Sequence, residues 1–207
     1  MRSAPLVLGV LASGRGSNLQ AILDATVSSR CPARVAVVVS DRKDALALER
    51  ARRAGAKAIH LDPHAYPDRA AYDRALGAVL AEHGVELVCL AGYMRLLSSA
   101  FVTAWRGRIL NIHPALLPAF PGLHAQRQAL EHGVKVAGAT VHFVDEGVDT
   151  GPIVLQAAVP VREGDTEESL AARILAEEHR LYPEAIRLYA EERLELVGRR
   201  VRIKEPA

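Results

Sequence analysis

Cysteine is scarce in this 207-residue chain: Cys31 and Cys89 are the whole complement. That excludes a disulfide framework and a cysteine-rich metal site. Cys89 falls inside an apolar run and Cys31 precedes Pro32 in a connection, so both read as inert. No apolar run approaches the roughly 20 residues that a membrane helix needs. The opening MRSAPLVLGVLAS looks briefly like a signal peptide, but its apolar run is short and passes into SGRGSN. That is not a small-residue cleavage site, so the cytoplasm is the expected location. One-signed charge is lacking too: the formal net charge is +2. The 22 arginines and 4 lysines are scattered among acids, apart from Arg52–Arg53 and the tail residues Arg199, Arg200 and Arg202. So small an excess gives no argument for a nucleic-acid partner. Internal repeats, low-complexity tracts, long linkers and a G-x-S-x-G nucleophile elbow are all missing.

What is present is ordinary globular material, half hydrophobic and 24% charged. The length suits one domain with two unequal halves and a core large enough to need no staple. Short apolar runs alternate with amphipathic stretches, which predicts an α/β fold: a Rossmann-like open sheet, mostly parallel, with helices on both faces. Predicted strands are Leu6–Ala12, Arg34–Ser40, Lys57–Leu61, Glu86–Ala91 and Arg108–His113. Predicted helices are Ser17–Thr26, Asp44–Ala54, Arg69–His83, Ser98–Trp105 and His124–His132. Val136–Val144 and Ile153–Val161 alternate like an antiparallel pair. Asp165 and Thr166 offer N-cap oxygens to a long helix reaching about Leu194, which Pro183 should kink or split. The tail LVGRRVRI is expected to add an edge strand. The single domain, 1–207, is expected to divide into two parts, about 1–105 and about 106–195.

The first strand ends in A-S-G-R-G-S-N and a helix opens at once. Gly14 and Gly16 allow a tight turn and a close ligand approach. Free N–H groups at the helix start favour an anion, and Ser17 and Asn18 add side-chain donors. A phosphate site is the natural reading. A dinucleotide fingerprint is the rival, since Asp41 ends the second strand where a ribose-binding acid should lie, but Leu19 occupies the third glycine position. A strand–helix turn that binds nothing is the third reading. The lysine of a nucleotide-triphosphate loop is missing.

Asn111 and His113 stand at i and i+2 of a strand, so both point to one face while Ile112 points into the core. They lie at the strand's C-terminal end, where open α/β sheets bind ligands. An amide beside an imidazole suits carbonyl chemistry: one stabilises an oxyanion, the other moves a proton. Asp149 in D-E-G-V-D-T-G-P is either an ordinary turn residue or a carboxylate folded against His113, orienting the ring and raising its pKa. His142 reads as a strand histidine hydrogen-bonded within the fold. Zinc held by His113, His142 and Asp149 is conceivable, but no tight metal-ligand spacing supports it, and the expectation is no metal.

The segments SGRGSNLQAIL, LAGYMRLLSSAFV, GRILNIHPALLPAFPGLHAQRQALEHG, GATVHFVDEGVDTGPIVLQAAVPV and GDTEESLAARILAEEHRLYPEAI resemble the phosphoribosylglycinamide formyltransferase family. The resemblance runs from about Leu6 to Leu194. N-x-H-P-x-L-L-P alone marks the wider folate-dependent formyltransferases; SGRGSN with PGLHAQRQA and ATVHFV points to the glycinamide ribonucleotide branch. It implies formyl transfer from 10-formyltetrahydrofolate, a co-substrate and not a tightly bound cofactor, to the amine of glycinamide ribonucleotide in purine synthesis. By the same resemblance, Asn111, His113 and Asp149 form the catalytic trio. Gly16, Ser17 and Asn18 bind the ribonucleotide phosphate, and Glu178 holds the glycinamide amine. Met94, Arg95, Leu96 and Leu97 receive the pterin, facing Asp145, Glu146, Gly147, Val148 and Asp149; Asn111 also binds the folate and Arg69 contacts its tail, which makes about 1–105 the mononucleotide-binding half and about 106–195 the catalytic and folate-binding half. Leu175 departs from relatives, which often carry a polar or basic residue there. Partners are small molecules only, with neither nucleic acid nor membrane, and the chain is expected to be a monomer or homodimer. The alternatives are a formyltetrahydrofolate deformylase, which normally has an extra N-terminal domain, and a non-enzymatic nucleotide sensor. A tRNA-directed formyltransferase needs a further C-terminal domain, for which the dozen residues after Leu194 leave no room.

Overall fold

Strands buried along nearly their whole length, such as Leu87–Leu90, and helices buried along one face produce the alternation expected above. The computed structural model describes residues 4–205; the first three residues, where MRSAPLVLGVLAS begins, and the last two lie outside them. The order is β1 (Leu6–Leu11), α1 (Ser17–Val27), β2 (Ala33–Ser40), α2 (Leu46–Arg53), β3 (Lys57–His60) and α3 (Arg69–Glu82). Then come β4 (Leu87–Leu90), α4 (Ser99–Ala104), β5 (Ile109–His113), α5 (Ala125–His132), β6 (Val136–Phe143), β7 (Ile153–Pro160) and α6 (Glu167–Ala190). The chain closes with β8 (Leu194–Val197) and β9 (Arg200–Ile203).

The main sheet has seven strands in the order β3-β2-β1-β4-β5-β6-β7. Strands β1 to β5 pair in parallel, and β6 and β7 add antiparallel. Successive side chains feed opposite faces. Val38 and Cys89 join a core under α1, α2, α5 and α6, whereas Val37, Val39, Val88 and Leu90 join a second core under α3 and α4. Strand β1 lies between β2 and β4, so the chain turns to opposite sides of the sheet on leaving these strands. Such a switch point opens a crevice at the strands' C-terminal ends. The loops after β1 and β4 form its two walls.

Two expectations are corrected. Helix α6 is neither split nor as long as predicted: it runs unbroken through Pro183 and ends at Ala190. Thr166 and Ser169 close a reciprocal capping box at its start, while Asp165 accepts from Ser169 Oγ (2.8 Å) and pairs with Arg173. The tail does not extend the main sheet. It folds on itself as the antiparallel hairpin β8–β9, because Leu194 and Val201 find apolar cover against the first core.

Candidate active site

The loop after β1 is shaped by one glycine. Gly16 has φ +69°, and a Cβ there would stand 2.8 Å from Ala47 Cα and 2.9 Å from Ala47 Cβ in α2. Both the left-handed backbone and the close helix approach therefore demand glycine. Gly14 needs neither: its φ is ordinary and no atom lies within 4 Å of its would-be Cβ. No side chain caps α1, whose first N–H groups stay free for an anion. Ser13, Gly14, Arg15, Gly16, Ser17 and Asn18 line a cavity of about 390 Å³, closed by Asp41, Arg42, Ala91, Gly92 and Met94.

The side chain of Asn18 is used differently from the expectation. Its Nδ2 donates to Glu178 Oε2 at 2.7 Å, across from α6, so that hydrogen does not face the loop mouth. Its Oδ1 is buried without a partner. A bare acceptor beside a carboxylate suits a ligand N–H better than a phosphate oxygen. Glu178 is only 7% exposed. Burial pushes its carboxyl pKa up, and the Asn18 hydrogen bond pulls it part of the way back.

Strand alternation and sheet register assemble the second part. Asn111 pairs across the ladder with His142, and His113 with Thr140. Cross-strand neighbours share a face, so the amide and both imidazoles converge. Asn111 Nδ2 lies 3.2 Å from His142 Nε2 and donates to Asp149 Oδ1 at 3.3 Å. Asp149 Oδ2 lies 3.3 Å from His113 Nδ1 and accepts from the Gly122 N–H at 2.8 Å. Asp149 Oδ1 stands 3.5 Å from His142 Nε2. His113 Nε2 lies 2.8 Å from the Phe120 carbonyl oxygen, an acceptor, and so carries a hydrogen. Thr140 braces the loop beyond β5, donating to the Ala115 carbonyl (2.7 Å) and accepting from the Leu117 N–H (3.1 Å).

The Asp149 charge acts upward on His113, as expected, yet the net His113 pKa is lowered. Burial is the largest influence, with His113 4% exposed, and it outweighs the Phe120 carbonyl and the Asp149 charge, which both act upward. Burial also pushes the Asp149 carboxyl up, but hydrogen bonds from His142 and Gly122 and the nearby imidazoles win, leaving it below the ordinary 3.8.

Asn111, His142 and Asp149 line a second cavity, of about 210 Å³, with Arg69, Arg95, Leu96, Leu97, Asp145, Glu146, Gly147 and Val148. Met94, grouped with these from sequence, faces the other cavity and is 64% exposed. The segment after β4 thus serves both sides: Ala91, Gly92 and Met94 one cavity, Tyr93, Arg95 and Leu97 the other. His113 lines neither, but its Nδ1 adjoins Asp149, which lines the second. The residue undervalued from sequence is His142; its antiparallel pairing with Asn111 is the signal that places it here. Leu175 lines neither cavity. Among the described residues, no group of three or more His, Cys, Asp or Glu side chains is arranged to hold a metal ion. Both thiols are buried, which raises Cys89 and pushes Cys31 up to about 12. Among the described residues, no helix is long and apolar enough to cross a membrane.

A glycine loop with an uncapped helix start at a switch point, beside an amide–imidazole–carboxylate cluster, is the arrangement of a Rossmann-like group-transfer enzyme. The Formyl transferase family profile matches residues 7–186. Phosphoribosylglycinamide formyltransferase of Escherichia coli is 49% identical over 90% of this chain and 88% of its own. Glycinamide ribonucleotide transformylase 1 of Symbiobacterium toebii has a crystal structure with 68% identity and TM-score 0.97, covering 99% of this chain and 96% of that one. The trifunctional purine biosynthetic protein adenosine-3 of Drosophila pseudoobscura pseudoobscura is 51% identical over 88% of this chain, which spans only 14% of that longer protein. The chain belongs to the phosphoribosylglycinamide formyltransferase family. A formyltetrahydrofolate deformylase from Pseudomonas syringae, 24% identical with TM-score 0.90, shares the fold.

Proposed function

We propose that this chain, working in the cytoplasm, transfers the formyl group of 10-formyltetrahydrofolate to the amine of glycinamide ribonucleotide. The observation that carries this is the convergence of Asn111, His113 and Asp149, with Asn111 and Asp149 lining one cavity while a separate cavity opens at the uncapped start of α1. The ribonucleotide phosphate takes the free N–H groups of Gly16, Ser17 and Asn18. Glu178 and the bare Asn18 Oδ1 hold the glycinamide amine. The pterin enters between 95–97 and 145–149, with Arg69 toward the folate tail.

The neutral amine attacks the formyl carbon. A C–N bond forms as the carbonyl electron pair moves onto oxygen. Asn111 donates to that oxyanion, and so does His113 through Nε2, because Nδ1 faces Asp149. An oxyanion is a stronger acceptor than the Phe120 carbonyl that holds this hydrogen in the free protein. The amine proton then passes to folate N10, the C–N10 bond breaks, and formylglycinamide ribonucleotide and tetrahydrofolate leave.

The test is turnover of 10-formyltetrahydrofolate with and without glycinamide ribonucleotide. Turnover only with the amine supports the proposal. Equal turnover with water alone would make the chain a deformylase instead.

A further inference from the structure

The family match ends at residue 186, so the hairpin β8–β9 lies beyond the matched segment. Yet the hairpin reaches the active-site loop. Arg199, at its turn, donates from Nη2 to the Thr150 carbonyl oxygen at 2.9 Å. Thr150 follows Asp149 directly, and Asp149 holds the left-handed φ of 53°. The hairpin is itself anchored. Arg193 Nε donates to the Lys204 carbonyl at 2.7 Å, the Lys204 N–H returns to the Arg193 carbonyl at 2.9 Å, and Leu194 and Val201 pack on the core.

The loop's other ties run inward or sideways. Thr150 Oγ1 donates to Asp145 Oδ1 at 2.6 Å, and the Gly147 N–H donates to the same oxygen at 3.1 Å. Thr103 Oγ1 donates to Glu146 at 3.4 Å, and Arg106 stands 3.8 Å from the same carboxylate. These hold the loop's shape and its near end. The peptide just past Asp149 is held from outside, by Arg199. Between hairpin and loop runs a groove of about 490 Å³, bordered by Leu196, Gly198, Arg199, Arg106 and 145–147. Without the arginine, the loop has open space into which to relax.

We propose that Arg199 is a positioning residue: from the C-terminal hairpin it clamps the peptide after Asp149 and so sets the loop against the folate cavity. The inference rests on the folate reading of that cavity. The ribonucleotide cavity has no contact with the hairpin among its lining residues, which gives the effect a direction.

The experiment compares Arg199→Ala, Arg199→Lys and Arg202→Ala in the full chain. Arg202 is an exposed arginine of the same hairpin, so its removal controls for lost charge. Losing one hydrogen bond corresponds to roughly a 3- to 10-fold change. Arg199→Ala should raise the KM for 10-formyltetrahydrofolate by about that factor. The KM for glycinamide ribonucleotide should stay within about twofold and the thermal midpoint should barely move. Lysine, which can still donate to one carbonyl, should restore much of the loss, and Arg202→Ala should behave like wild type. Hydrogen exchange supplies a readout independent of turnover: amides of 145–151 should exchange faster in Arg199→Ala and nowhere else. An unchanged folate KM with unchanged exchange would overturn the clamp. So would equal KM rises for both substrates with a lowered midpoint, which would mark a purely structural role. A wild-type chain with no transfer activity would defeat the functional reading, and the exchange comparison would still decide the clamp.

Discussion

At the scale of single residues, the site turns on opposing pulls on two buried groups. Burial drives His113 toward the neutral imidazole, whereas Asp149 at 3.3 Å pulls it back toward imidazolium. Asp149→Asn keeps the size, and asparagine tolerates the left-handed backbone as well as aspartate does. With the charge gone, burial acts unopposed by the carboxylate and the His113 pKa should fall further below 6.5. On the proposed mechanism the protonated ring stabilises the oxyanion best, so the substituted enzyme should lose about 10²-fold or more in turnover at neutral pH. Part of the loss should return toward acid pH, until the substrate amine protonates. NMR titration of the histidines reads the shift directly; an unmoved His113 would separate Asp149 from it. Glu178 is the converse case. Its folded pKa lies above the ordinary 4.5, so its burial favours the protonated form, and stability declines as pH rises through the raised value. Glu178→Gln should therefore be at least as stable as wild type at neutral pH, with the advantage vanishing below about 4.5. The same substitution should raise the ribonucleotide KM on the order of 10-fold or more and leave the folate KM alone. Thermal melts across pH, with the two KM values, check both halves. Sequence pattern found Asn111 and His113 because period-2 alternation is local. It could not weigh the burial of His113 against Asp149, since burial is a property of the packed chain.

At the scale of elements, the site is made by strand ends and by helices that arrive from far along the chain. Helix α6 brings Glu178 to Asn18 and inserts Tyr182, whose hydroxyl donates within reach of the Leu90 and Leu110 carbonyls (3.0 and 2.9 Å). One buried phenol thereby ties β4 to β5, the strands that lead into the 90–97 segment and carry Asn111 and His113. The capping box at Thr166 fixes where this helix begins. Thr166→Ala should lower stability by about 1 kcal/mol and leave both KM values unchanged, as Glu178 lies several turns away; a denaturant melt measures the first and steady-state kinetics the second. The helix start was legible because caps are local. Its passage through Pro183 was not, because proline disfavours a helix interior by roughly 3 kcal/mol, and only the packing of Leu181, Tyr182, Ala185 and Ile186 on the sheet offsets that. The tail misled for a similar reason. Apolar residues in LVGRRVRI announce a strand but not its partner, and pairing is decided by what space the finished sheet leaves.

For the molecule as a whole, the order β3-β2-β1-β4-β5 places the β1 and β4 loops on either side of a crevice, and the antiparallel β6 carries His142 to its far end. Two cavities result, sharing the 90–97 segment and separated by it. On the proposed function, that division lets one ligand bring an amine and the other a formyl group to the same point. It was legible as a pair of motifs but not as two spaces, since Met94 and Leu97 sit three residues apart in sequence and line different cavities. The account's central claim is this division of labour, and hydrogen exchange on the whole protein with each ligand in turn tests it most directly. Glycinamide ribonucleotide should protect 13–18 and leave 145–149 exchanging as in the free protein. Tetrahydrofolate, the folate product, should protect 95–97 and 145–149 and leave 13–18 unchanged. Protection of the same segments by both ligands would contradict the account.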